Sequence, residues 1–186
     1  MKTQPIVLLS TFILFWSSCS QTNSQQATTS LPNNTPKGQA SVVDTTSAKN
    51  ILQVAIQSPD HTTLVAAVQA AGIEHILVNA GPLTVFAPIN EAFESLPPGT
   101  VDDLLKPENK PQLANILSGH AAPGSFDLEA LKKEFRKGRK IYTATGKYLN
   151  VTVKQGNVFI SGSKILATIP TSNGVINVVD QVILEN

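Results

Sequence analysis

Between residues 45 and 186 the apolar positions follow a helical period at first and a strand-like alternation later. Ile51, Leu52, Ala55 and Ile56 repeat at helical spacing, and Pro59 ends the run. Over residues 61–71, Leu64, Val65, Val68 and Ala71 share one face, with Gly72 placed as a C-cap. Residues 73–79 predict a further short helix before Gly81-Pro82, and residues 83–87 predict a buried strand. Asn90 is expected to cap a short helix over 91–96, where Glu91 and Glu94 suit the positive end of the helix dipole. Residues 101–105 and 111–117 predict two more short helices, and 128–137 a charged amphipathic one. Strands are expected over 141–145, 148–154, 158–161, 164–168 and 175–184. Gly146-Lys147, Gln155-Gly156-Asn157 and Ser161-Gly162-Ser163 supply the turns between them.

The first 44 residues break this pattern. Residues 1–18 read as an export signal: Lys2 near the amino terminus, an apolar run from Pro5 to Trp16, then Ser17 and Ser18. That run is too short to span a bilayer, which needs about 20 apolar residues. Cys19, the only cysteine, follows directly. A lone cysteine after a small-residue cleavage site resembles the lipobox of bacterial lipoproteins, although Trp16 and Ser18 replace its usual Leu and Gly or Ala. The resemblance implies acylation of Cys19 and an exported protein in the cell envelope. The outer membrane or cell surface is the expected address, with plain secretion as the alternative. Residues 20–41 are almost entirely Ser, Thr, Asn, Gln, Pro and Gly. Such a stretch buries too little apolar surface to offset its ordering entropy, so residues 19–44 are expected to act as a lipid-anchored flexible linker.

Charge adds little to this picture. The chain has 14 Lys and Arg against 13 Asp and Glu, and Lys2 is the only charged side chain before Cys19. A balanced chain has no global attraction to nucleic acid, and no nucleic-acid partner is expected. One cysteine excludes an intrachain disulfide framework, so the apolar core must hold the fold.

Two longer motifs carry a family resemblance. Residues 83–93, LTVFAPINEAF, are similar to the first signature of fasciclin domains, with Ile89 where Thr is usual. Residues 173–184, NGVINVVDQVIL, are similar to the second, with Asn177 where His is usual. Between them, residues 117–124, LSGHAAPG, stand in the place of the family's Tyr-His motif. His120 matches, while Gly119 replaces the Tyr. The resemblance covers nearly the whole of residues 45–186. It implies an α+β, fasciclin-like fold, with a helical layer from the first half packed on a β-rich wedge from the second. It also implies a non-catalytic adhesion or matrix-interaction module, the alternative being a binding module for a small apolar ligand such as a lipid or pigment.

The residues themselves offer no catalytic or metal constellation, and no cofactor is expected. His61, His75 and His120 lack metal-ligand spacing. Ser161-Gly162-Ser163-Lys164 fits the SxxK pattern, but that chemistry needs a helical turn between Ser and Lys, and here a Gly-centred hairpin turn is expected. His120 is expected to be a partly buried side chain bonded to backbone, with a binding role as the alternative. The main surface feature is basic. Lys132, Lys133, Arg136, Lys137 and Lys140 would share one helix face, with Arg139 and Lys147 nearby. Such a face suits an anionic polysaccharide, a lipid headgroup or another envelope protein. Acidic residues gather elsewhere, at Glu91, Glu94, Asp102, Asp103 and Glu108, which leaves homotypic contact open. Carbohydrate recognition by ring stacking finds little support in the counts: beyond the leader there is no Trp, and the only Tyr residues are Tyr142 and Tyr148.

Overall fold

The computed structural model describes residues 48–184. The export signal, Cys19 and the whole of the 19–44 linker lie outside the described residues. Two strands at the centre explain the rest of the architecture. β1 (Leu83–Pro88) and β8 (Gly174–Val179) run parallel, with Leu83 opposite Gly174 and Pro88 opposite Val179. They come from the two fasciclin-like signatures. Both are buried on both faces, as expected of apolar runs at the middle of a sheet. Val85, Ala87, Ile176 and Val178 point to one core, and Phe86 and Val179 to a second.

The first core is the helical layer. α1 (Ile51–Gln57), α2 (Thr62–Ala71), α3 (Glu74–Val78) and α6 (Lys110–Gly119) contribute Ile51, Leu64, Val68, Leu77, Leu113 and Leu117 to it. Asn50 and Gln53 form a reciprocal capping box on α1, and Gly72, at φ 71°, ends α2 in the left-handed conformation. α4 (Asn90–Glu94) and α5 (Thr100–Leu104) complete this side.

The second core is the β-rich wedge. The six-stranded sheet runs in the order β2-β1-β8-β7-β6-β5. It adds β2 (Ala121–Pro123), β5 (Val151–Lys154), β6 (Asn157–Ile160) and β7 (Ser163–Thr171) to the central pair. α7 (Leu128–Arg136) closes it with Leu131, fully buried against Val151 and Val158. A separate ribbon of β3 (Ile141–Tyr142) and β4 (Tyr148–Leu149) buries Ile141 and Leu149 in the same core. The arrangement is α+β, a helical layer packed on a β-rich wedge.

Four local expectations need correction. Asn90 does not cap its own helix; it lies inside α4, and its side chain is used elsewhere. The strand expected over 148–154 is two strands in different sheets, broken at Asn150, whose N–H turns to the Ser161 hydroxyl. The last strand stops at Val179, because the Asp180 carboxylate turns aside to accept the Lys164 N–H at 2.7 Å. Finally, α7 ends at Arg136, since Gly138 takes φ 64° and reverses the chain. Lys140 therefore stands beyond the helix and not on its face.

Candidate functional site

The signature residues mostly hold the fold together. Thr84 and Asn177 are fully buried on neighbouring strands. Thr84 donates to the Gly124 carbonyl and accepts from the Phe126 N–H, both at 2.8 Å. Asn177 donates to the Phe126 carbonyl at 2.8 Å and accepts from the Thr168 hydroxyl at 2.7 Å. Asn173 accepts the Ile51 N–H and donates to the Leu77 and Asn79 carbonyls, tying α1 and α3 to the start of β8. Gly174 is obligatory for a different reason: a Cβ there would sit 1.8 Å from the Leu83 carbonyl oxygen.

His120 sits at the junction of α6 and β2, 2% exposed. Its Nδ1 lies 2.9 Å from the Ile116 carbonyl, and the Ile183 N–H donates to its Nε2 at 2.9 Å. With Nδ1 carrying the proton both contacts are satisfied, and the ring pins the segment after β8 to the end of α6. His120 also borders an apolar recess lined by Phe93, Leu104, Leu105, Leu113 and Leu117. Its volume, about 30 Å³, holds a water or two, so a lipid or pigment would have to displace the walls.

His61 is buried as well, with Nδ1 2.8 Å from the Ser58 hydroxyl and, among the described residues, no hydrogen-bond partner for Nε2. Desolvation lowers its pKa below the ordinary imidazole value, outweighing the neighbouring Asp60 carboxylate and the Ala87 backbone, which favour the charged ring. His75 is exposed on α3. Among the described residues no group of three or more His, Cys, Asp or Glu is placed to hold a metal, and no helix is long and apolar enough to cross a membrane. Ser161 and Gly162 take φ 46° and 97° in the two-residue turn between β6 and β7, so the SxxK residues do not share a helix.

The basic residues divide by their partners. On α7, Lys132 pairs with Glu129 at 2.8 Å. Glu134 holds Lys137 at 3.9 Å and Arg139 at 3.7 Å. Lys133, Arg136 and Lys140 are exposed, and among the described residues none has a carboxylate within ion-pair distance. The acidic residues are exposed on α4, α5 and the 3-10 turn Pro107–Asn109, with Asp103 paired to Lys106.

A feature not expected from the sequence lies just beyond α7. Tyr142 and Tyr148 stand opposite each other across the β3–β4 ribbon, 50% and 62% exposed. Their centroids are 5.3 Å apart with the rings inclined at 60°, an edge-to-face pair. Tyr148 also lines a cleft of about 730 Å³ with Lys147, Asn150, Thr152, Ser161 and Leu184. The pairing is implicit in the turn, because a hairpin centred on Thr145 sets the two Tyr residues at opposite positions on the paired strands.

Comparison with known proteins agrees with this layout. The Fasciclin domain profile matches residues 59–185. The chain belongs to the fasciclin-domain family. Protein sll1483 of Synechocystis sp. is 43% identical over 141 residues, covering 75% of this chain and 76% of that protein. Transforming growth factor-beta-induced protein ig-h3 of Sus scrofa is 31% identical over 145 residues, covering 76% of this chain but 20% of ig-h3. Among solved structures, the FAS1 domain pair of the insect cell adhesion molecule fasciclin I superposes with a TM-score of 0.67 at 18% identity. That match covers 74% of this chain and 51% of the pair. This fasciclin domain thus has the FAS1 fold, and its chain spans about half of the two-domain structure.

Proposed function

We propose that this fasciclin domain is a non-catalytic adhesion module of a bacterial cell envelope, tethered by lipid on Cys19, that grips an anionic matrix polymer. Its fold is that of a cell adhesion molecule, which supports the adhesive half of the reading. The observation that carries the choice of partner is the uncompensated charge of Lys133 and Arg136 on α7 and of Lys140 beyond it. Exposed cations without ion-pair partners attract a polyanion at little desolvation cost.

The experiment is binding of a soluble acidic polysaccharide to the purified domain at rising salt. Affinity should fall steeply as the Debye length shortens from about 10 Å at 0.1 M to about 3 Å at 1 M. Replacing Lys132, Lys133, Arg136, Lys137 and Lys140 by Gln should abolish binding and leave the melting temperature nearly unchanged, since exposed charges add little to folding. Loss of binding on neutralising Glu91, Glu94, Asp102, Asp103 and Glu108, together with self-association of the pure protein, would replace this reading with homotypic contact.

A further inference from the structure

The geometry points to a saccharide-binding cleft on the β3–β4 ribbon, in which Tyr148 is the stacking platform for an acidic pyranose, a sugar ring bearing carboxylate or sulfate. The proposal rests on the polyanion reading above and names the chemical unit recognised.

Three observations converge. The first is the ring itself. Tyr148 is 62% exposed, so much of its ring surface stays in water. The edge-to-face contact with Tyr142 restricts rotation of the Tyr148 ring, so less rotamer freedom remains to be lost on binding. A pyranose presents a face of weakly positive C–H groups, which suits the negative π face of such a ring.

The second is the set of polar groups around it. The Ser161 oxygen accepts the Asn150 N–H, which leaves the hydroxyl proton free to donate. The Asn150 side-chain amide and the Thr152 hydroxyl make no hydrogen bond among the described residues. One aromatic platform beside an amide and two hydroxyls with open bonding capacity matches the alternating donors and acceptors of sugar hydroxyls. The cleft's size falls within the range of small-molecule sites, about 300–1,000 Å³.

The third is charge. Lys147 lines the cleft. Lys140 is exposed just before β3, two residues ahead of Tyr142, and among the described residues it has no ion-pair partner. Along the chain it stands between α7, which carries Lys133 and Arg136, and the ribbon that carries Tyr148.

The test uses oligogalacturonate, a neutral galactose oligomer and inorganic polyphosphate as probes, titrated against the folded protein and its variants. Oligogalacturonate should bind more tightly than the neutral oligomer. Tyr148→Ala should weaken it about tenfold while Tyr148→Phe stays close to wild type. Both side chains are exposed, so the melting temperature should hold, and Tyr142→Ala provides a second variant that loosens the platform without removing it. Unchanged affinity in Tyr148→Ala, with loss in Lys133→Gln/Arg136→Gln, overturns the cleft and leaves the polyanion reading standing. The cleft is overturned equally if polyphosphate binding is as sensitive to Tyr148→Ala, or if wild type takes polyphosphate but not oligogalacturonate. Failure of all three probes overturns both.

Discussion

His61 keeps its ring among the first helices, with Nδ1 on Ser58 and burial favouring the neutral form. The unfolded chain takes up a proton near pH 6.5, whereas the folded ring resists it to lower pH. Between those two values the unfolded state binds more protons, so stability must rise with pH and fall on acidification below about pH 6.5. Thermal melts of wild type and His61→Asn across this range should show the excess acid loss in wild type only; parallel curves would show that His61 contributes nothing to it. His120 faces a different constraint, because its two ring nitrogens satisfy two backbone groups. His120→Ala leaves the Ile116 carbonyl and the Ile183 N–H without those partners, which should lower stability by roughly 1–3 kcal/mol. Adhesion measured well below the melting point should persist. Normal melting with lost adhesion would reverse that assignment and make the ring a contact residue.

Asn90 shows how an element depends on a residue outside it. Its side-chain oxygen accepts the Thr63 N–H at 3.0 Å and the Thr62 hydroxyl at 3.2 Å, and its amide donates to the Pro59 carbonyl at 2.9 Å. A residue of α4 thus supplies the first turn of α2 with the cap that His61 does not provide. Asn90→Ala should cost about 1–2 kcal/mol in chemical denaturation, with Asn90→Asp between it and wild type because only the acceptor survives. Identical midpoints for all three proteins would show that the bonds carry no net stability. The sequence cannot reveal this partner: Asn before a helix is a local capping signal, and nothing local distinguishes a neighbour's cap from its own. Elements with a strong period are readable, namely α2, α7 and β1. β2 carries no such signal, because Ala121-Ala122-Pro123 has no β-branched residue and its strand character comes from pairing with β1. The apolar pattern overstates the reach of β8: Val182, Ile183 and Leu184 are as apolar as a strand, while Asp180 breaks the ladder through a tertiary bond. The tyrosine pair depends on register, which a count of aromatic residues ignores.

At the scale of the molecule, the proposed acyl anchor on Cys19 and the proposed matrix-facing domain are testable together. Cys19→Ala should move the protein from the membrane to the soluble fraction, and intact-mass measurement of the native form should show the acyl chains. A mature native chain that begins elsewhere and carries no lipid would end the idea. The parallel pairing of β1 with β8 has its own consequence. Leu83 meets Gly174 only after every intervening element has been made, and the central pair of the sheet closes one of the longest loops in the fold. Loop closure of this span must precede any reward from the contact, and long-range parallel pairing slows folding. A chain threaded amino end first through a translocation channel therefore lacks the middle of its own sheet for most of the passage. On the proposed export route, the central pair can close only once the second signature has arrived.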